Sequence, residues 1–407
     1  MSDLLKDKNI VLGVCGGIAA YKAVDLLRVF VRAGARIRVI MTGAAQAFVG
    51  PTTFQALSGH SVWTQMFGGE QEGAPFRHIA WAEEADAVVI VPATANIIGK
   101  MSHGIADDPL TTFVLSVRAP ILVCPSMNVH MYENRLVQEN IEKLERTGIK
   151  VLRPETGLLA CGDEGPGRLP DVETIAEEVR SLLCPKDLAG ERVLVTAGPT
   201  QEPIDPVRFI SNPSSGKMGY VLARVARRRG ADVSLVSGPT VLADPQGVRV
   251  IRVTTAEEMY NAVTATAAKA TIIVMAAAVS DWRPASLSEH KVKKEEMAQE
   301  LRLEQTVDIL KVLGENKNRQ ILVGFAAETR DLEKNACAKL SAKNLDLIVA
   351  NLIGQADSGF GSDTNQASLF YKDGRNEALP LMDKGALAEV LFDKVLEIKR
   401  RADDGSD

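Results

Sequence analysis

Apolar residues arrive in short runs, each followed by glycine or small polar residues and then by a stretch whose apolar positions recur at helical spacing. Asn9–Val14 (NIVLGV) is the first run and predicts a buried strand. Gly16 and Gly17 form its turn, and Ile18–Ala33 carries the helical spacing. Arg36–Met41 (RIRVIM) is the next strand. The order strand, loop, helix, strand predicts a parallel, doubly wound sheet, because parallel neighbours need a crossover connection. Ala87–Val91 (AVVIV) and Pro120–Cys124 (PILVC) extend it, and the run around Leu152 is a shorter candidate.

The rhythm restarts after Leu183. Cys184–Gly190 (CPKDLAG) sets proline and glycine among charged residues and reads as a linker. Arg192–Thr196 (RVLVT) is a new first strand, followed by a long glycine-containing loop, a helix over Met218–Arg229 and a strand at Asp232–Val236. Thr271–Met275, Ile321–Val323 and Leu345–Val349 add strands. The fold class is therefore α/β, with two Rossmann-like domains built on parallel sheets and divided as residues 1–187 and 188–407. The tail from Arg400 (RRADDGSD) reads as disordered.

The length of 407 residues agrees with more than one core. A formal net charge of −5 argues against a nucleic-acid surface. No apolar run has the length of a membrane span, and Met1–Ile10 is too polar for a signal peptide, so the expected location is cytoplasmic. The five cysteines are scattered and form no CxxC pair, which speaks against a disulfide framework or a cysteine-rich zinc site. No HExxH occurs. Any metal is expected to be a hard cation travelling with phosphates, and its protein ligands stay unassigned.

Several loops carry candidate chemistry. Gly13–Lys22 (GVCGGIAAYK) places glycines at a strand-to-helix turn, where free N–H groups favour an anion, although the spacing is not GxGxxG. By itself it reads equally well as a tight turn. Pro92–Asn96 (PATAN) sets small and hydroxyl residues after a strand, as nucleotide-sized sites do. His78 alone reads as a surface or hydrogen-bonded histidine. Asn128, in PSMNVHMY, either holds a carboxylate through its amide or caps the following helix. Gly157–Asp171 has too much glycine and proline for a regular element and reads as a flap; on it Cys161 either reaches a reacting group or is an inert loop cysteine. In the second half, Thr196–Gly219 is long and polar, and its GK is not part of a Walker A loop. Lys291, Lys293 and Lys294 form either a solvated basic loop or a phosphate clamp.

Taken together, GGIAAYK, PATAN, PSMNVHMY and ACGDEGPGR, then TAGPTQEPIDPVRFISNPSSGKMG, AAAVSDWRP, KVKK, GFAAET and KNLDLIVAN, resemble one family over nearly the whole chain and in its order. It is the bifunctional phosphopantothenoylcysteine decarboxylase/phosphopantothenate–cysteine ligase family of coenzyme A biosynthesis. The resemblance implies a flavodoxin-like, FMN-binding first domain of the flavin-containing cysteine decarboxylase type. Gly16, Gly17, Ile18, Ala19, Thr42, Thr94, Ala95 and Asn96 would then lie at the cofactor. It implies that His78 acts in oxidative decarboxylation, that Asn128 holds the substrate carboxylate, and that Cys161 donates the proton when the enethiolate is reduced. Flavin oxidation of the C–S unit to a thioaldehyde creates the electron sink that loss of CO₂ requires.

For the second domain the resemblance implies ligation of 4′-phosphopantothenate with L-cysteine, using CTP and Mg²⁺, through an acyl-cytidylate. Asn212 matches the residue tied to that intermediate and Lys291 the essential lysine. Ala277, Asp281, Lys291, Val307, Asp308, Ile309, Leu310, Phe325, Lys339 and Lys343 match nucleotide contacts. A dodecamer of trimeric decarboxylase and dimeric ligase domains is implied, with no nucleic-acid or membrane partner. Cys15 stands where serine is common in the family and weakens one side-chain contact to the cofactor. A peptide-cysteine decarboxylase, a non-catalytic regulatory flavoprotein and a dinucleotide-dependent reductase are the rivals. The complete ligase half and the joint presence of His78, Asn128 and Cys161 count against the first two, and the missing GxGxxG against the third.

Overall fold

The computed structural model describes residues 3–66, 77–158, 162–292, 300–328, 330–352 and 362–404. The chain divides into two compact units, Met1–Cys184 and Pro185–Asp407.

The first unit runs β1 (Asn9–Val14), α1 (Ala20–Arg32), β2 (Arg36–Met41), α2 (Pro51–Ser58), α3 (Arg77–Glu84), β3 (Ala87–Ala93), α4 (Ala95–His103), α5 (Pro109–Ser116), β4 (Ile121–Pro125), α6 (Val129–Glu133), α7 (Arg135–Arg146), β5 (Lys150–Val151), β6 (Glu155–Leu158), β7 (Glu164–Arg168) and α8 (Val172–Leu183). Its main sheet is parallel, in the order β2-β1-β3-β4-β5. Alternate residues of β1 feed opposite cores, because side chains alternate across a strand. Ile10, Leu12 and Val14 pack with Leu26, Leu27 and Phe30 of α1 and Ile175 and Val179 of α8. Val11 packs with Ile97 and Ile98 of α4 and Phe113 of α5. Helices on both faces explain the unbroken apolar runs.

The second unit continues with β8 (Arg192–Ala197), β9 (Gln201–Pro203), β10 (Phe209–Ser211), α9 (Lys217–Arg228), β11 (Asp232–Ser237), β12 (Arg249–Arg252), α10 (Ala256–Ala267), β13 (Ile272–Met275), β14 (Trp282–Pro284), β15 (Leu303–Gln305), α11 (Ile309–Glu315), β16 (Ile321–Glu328), α12 (Leu332–Ala342), β17 (Leu347–Leu352), β18 (Thr364–Asn365), β19 (Ala367–Tyr371), β20 (Asn376–Ala378), β21 (Met382–Asp383) and α13 (Lys384–Asp404). Its large sheet has the order β12-β11-β8-β13-β16-β17-β19-β20. Val193 and Val195 of β8 pack with Tyr220 and Ala223 of α9 and Leu391 and Phe392 of α13, while Leu194 faces Met259 and Val263 of α10.

Four readings of the sequence need correction. The second sheet is not wholly parallel: β19 pairs antiparallel with β17, and β20 with β19. The long loop after β8 contains the antiparallel pair β9–β10. The glycine-rich stretch Gly157–Asp171 is not irregular throughout, because its described residues include β7 and the end of β6, which form an antiparallel pair. Its glycines serve packing: a Cβ on Gly167 (φ 149°) would lie 2.2 Å from the Met127 carbonyl oxygen, and one on Gly165 would lie 2.6 Å from a Val129 methyl. The C-terminal tail does not end its helix at Arg400; α13 runs to Asp404, with Lys399 paired to Glu191 and Arg401 3.5 Å from Asp373.

Candidate functional site

In the first unit the chain leaves β1 toward β2 on one side and reaches β3 on the other. A crevice therefore opens beyond the carboxyl ends of β1 and β3, the usual ligand position in open α/β sheets. The turn after β1 fits a planar group bearing phosphate. Gly16 must be glycine, since a Cβ would come 2.6 Å from the Ala44 Cβ. Gly17 stays open, with Pro92 3.9 Å from its virtual Cβ, and Ile18 is 65% exposed. Helix α1 begins after Ala19 with no side-chain cap and no acidic residue in its first turn, leaving N–H groups and a positive dipole end for an anion. Thr42 and Thr94 close the ends of β2 and β3, their hydroxyls accepting bonds from the N–H groups of Ala45 and Ile97. Ala95 and Asn96 open α4.

Cys15 is buried, and desolvation pushes its thiol up to about 12, so it is neutral at physiological pH. His78 lies half-buried in the first turn of α3, its carbonyl accepting a bond from Ser116. Asn128 fills the helix-capping role that its sequence context left open, and its amide also meets a carboxylate of this chain. Its Oδ1 accepts the His130 N–H at 2.8 Å and caps α6, while its Nδ2 donates to the Asp163 carboxylate at 2.9 Å. Cys161 lies outside the described residues.

In the second unit a cleft of about 790 Å³ opens beyond β8, β13 and β16. It is lined by Asn212, Ala277, Asp281, Val307, Asp308, Ile309, Leu310, Phe325, Lys339 and Lys343, which is every expected residue of this half except Lys291. The amide of Asn212 donates to the carbonyls of Ala278 and Val279 at 3.1 and 3.3 Å, tying the loop after β8 to the loop after β13. With both N–H groups engaged, its carbonyl oxygen is what it has left to offer. Lys339 meets Glu328 at 2.6 Å and Lys343 meets Asp308, the N-cap of α11. Lys291 is exposed and stands outside this wall; the next residue, Val292, is bonded to Asp205 and Arg208.

Sequence reasoning missed Lys217, Asn351, Asn365 and Lys384, which also line the cleft. Lys217 lay in a recognised loop, but nothing in PLMDKG around Lys384 signals a site. No group of three or more His, Cys, Asp or Glu residues suited to a metal occurs among the described residues, and no helix of theirs is long and apolar enough to cross a membrane.

Comparisons with known proteins cover both units. A family model described as flavoprotein matches residues 1–184, and one described as the DNA/pantothenate metabolism flavoprotein C-terminal domain matches residues 188–398. The coenzyme A biosynthesis bifunctional protein CoaBC of Bacillus subtilis (strain 168) is 48% identical over 97% of this chain and 97% of that protein. The protein of the same name from Vibrio cholerae serotype O1 is 44% identical over 97% of this chain and 99% of its own. A crystal structure of the C-terminal domain of a CoaBC protein is 42% identical and covers 53% of this chain and 97% of that chain, with a TM-score of 0.45. The chain belongs to the family of bifunctional coenzyme A biosynthesis enzymes that join a flavoprotein decarboxylase unit to a ligase unit.

Proposed function

We propose that residues 188–407 ligate 4′-phosphopantothenate with L-cysteine at the expense of CTP, and that residues 1–187 decarboxylate the product to 4′-phosphopantetheine with FMN. The observation that carries this reading is the cleft, in which the residues expected at the nucleotide, Lys291 apart, converge from four separate stretches of chain and meet Asn212 from a fifth. The substrate carboxylate attacks the α-phosphate of CTP, releasing pyrophosphate and forming an acyl-cytidylate. The cysteine amine then displaces CMP. Lys339 and Lys343 offset phosphate charge, and Lys291 approaches from its exposed loop. Mg²⁺ would travel on the CTP phosphates, whose hard oxygens suit it.

In the first unit the crevice beyond β1 and β3 would hold FMN at Gly16–Ala19, Thr42 and Thr94–Asn96. When bound, FMN supplies reversible two-electron oxidation of the substrate's C–S unit. The uncapped start of α1 would receive its phosphate. Asn128 holds the substrate carboxylate, His78 assists its departure as CO₂, and Cys161 returns a proton. A cytoplasmic dodecamer of trimeric first units and dimeric second units completes the reading.

Mass spectrometry of the purified protein with 4′-phosphopantothenate, cysteine, CTP and Mg²⁺ tests it. 4′-Phosphopantetheine together with CMP is the expected outcome. Absence of phosphopantothenoylcysteine and phosphopantetheine alike would overturn it.

A further inference from the structure

Lys22 stands where local rules place no cation. It is the third residue of α1, in a first turn without an acidic side chain, and its charge opposes the positive end of that helix. Lysines usually keep their amine in water. A groove of about 370 Å³ between α1 and the start of α8 offers that water, yet the Lys22 side chain is only 17% exposed. Its amine turns to the chain 147 residues later and donates to the Leu169 carbonyl at 3.1 Å. Asp171 adds a contact at 3.9 Å, but its carboxylate is 66% exposed and screened by solvent. The charged hydrogen bond to Leu169 is therefore what offsets the unfavourable position.

What Lys22 holds is the far end of the β6–β7 hairpin. Leu169 follows β7 directly and is buried. Among the described residues the hairpin joins no larger sheet, and a lone two-stranded pair needs contacts from elsewhere to stay in place. Two residues before Leu169, the Gly167 carbonyl accepts the Met127 N–H at 3.1 Å. Met127 adjoins Asn128, whose amide reaches back to Asp163, just ahead of β7, at 2.9 Å. A continuous path of hydrogen bonds and short peptide stretches thus runs from the first turn of α1 to Asn128.

We propose that Lys22 is a positioning residue for the decarboxylation: it pins the carboxyl end of β7 to α1 and so sets Asn128 for the substrate. This rests on the reading of the first unit as the decarboxylase. Lys22 acts through Leu169 and Gly167, not through contact with the reacting atoms. Without it β7 keeps its bonds to β6 but loses its fixed seat against Met127, and a small misplacement of the group that orients a substrate slows the reaction.

Amide hydrogen exchange of the full chain and steady-state CO₂ release from phosphopantothenoylcysteine test this together. Lys22→Met should speed exchange of the β7 amides by about tenfold or more and leave those of β1, β3 and β4 at the parent's rate. It should lower kcat/KM for decarboxylation by about tenfold or more, with CMP formation by the second unit unchanged. Lys22→Arg, which keeps a charged donor, should recover most of both losses. Unchanged β7 exchange or unchanged kcat/KM in Lys22→Met overturns the proposal. So does an equal rise in exchange throughout the first unit, which would make Lys22 a general stabiliser. Should Lys22→Met fail to fold, Lys22→Gln, whose amide stops one bond short of the carbonyl, is measured in its place with the same expectations. If the parent itself releases no CO₂, the decarboxylase reading fails, and β7 exchange still decides whether Lys22 is the tether.

Discussion

The carboxylate of Asp205 and the guanidinium of Arg208 close together on the backbone of one residue, Val292. Asp205 accepts the Arg208 Nε–H at 3.0 Å and the Val292 N–H at 3.3 Å, and Arg208 donates to the Val292 carbonyl at 3.0 Å. The pair thus clamps the residue next to Lys291 onto the turn between β9 and β10. Asp205→Asn should release that clamp and lower ligase turnover by about 10²-fold, the scale of a small misplacement of a reacting group. Decarboxylation of supplied phosphopantothenoylcysteine should be unchanged. Equal CMP formation by variant and parent would show that the clamp does not position Lys291.

The same carboxylate sets an acid limit. The Arg208 hydrogen bonds, with backbone N–H donors, hold Asp205 well below the usual carboxylate range. A depressed pKa stabilises the fold above the unfolded-state value of about 3.9, and this contribution is lost as pH falls toward the folded-state value. Denaturant midpoints measured across that acid window should fall less steeply in Asp205→Asn than in the parent.

Asn128 already holds a carboxylate, that of Asp163. In the proposed reaction the substrate carboxylate competes for the same amide. Asp163→Ala should therefore lower the KM for phosphopantothenoylcysteine several-fold, whereas Asn128→Asp, which sets two carboxylates against each other, should raise it by about tenfold or more. Steady-state kinetics of CO₂ release reads both. A KM that Asp163→Ala leaves in place would mean the two carboxylates do not share the amide.

Gly167 combines a φ of 149° with a virtual Cβ 2.2 Å from the Met127 oxygen, and its own carbonyl accepts the Met127 N–H at 3.1 Å. Gly167→Ala should destabilise the first unit by about 1–3 kcal/mol and displace Asn128. Decarboxylation should fall while CMP formation persists. Denaturant unfolding with both assays checks this, and an undisturbed decarboxylase would contradict it.

Thiol chemistry should divide by burial. Cys15, Cys124 and Cys184 are buried, whereas Cys337 is exposed. With iodoacetamide at pH 8, peptide mapping should find Cys337 alkylated and Cys15 intact, since a thiol at about 12 presents almost no thiolate there.

The strand positions were legible because a strand buried on both faces is a local signal. β1 and β2 span the residues that their apolar runs predict, and β8 differs by one residue. The hairpin β6–β7 was not legible: Glu164–Arg168 (EGPGR) looks like a breaker, and only its fit against Met127 and Val129 makes an extended strand favourable. The antiparallel β19 and β20 likewise depend on which edge of the sheet is free.

The sequence by itself determined the α/β class, the family and ten of the residues that line the second-unit cleft, because long motifs and apolar runs are properties of neighbours in the chain. Only the tertiary structure decided that Lys384 is buried beside Lys217, that Asp205 reaches Val292 across 87 residues, and that Asn128 faces Asp163. These contacts depend on packing between distant elements. A lysine at a helix start carries no mark in sequence of whether water or a protein wall surrounds its charge.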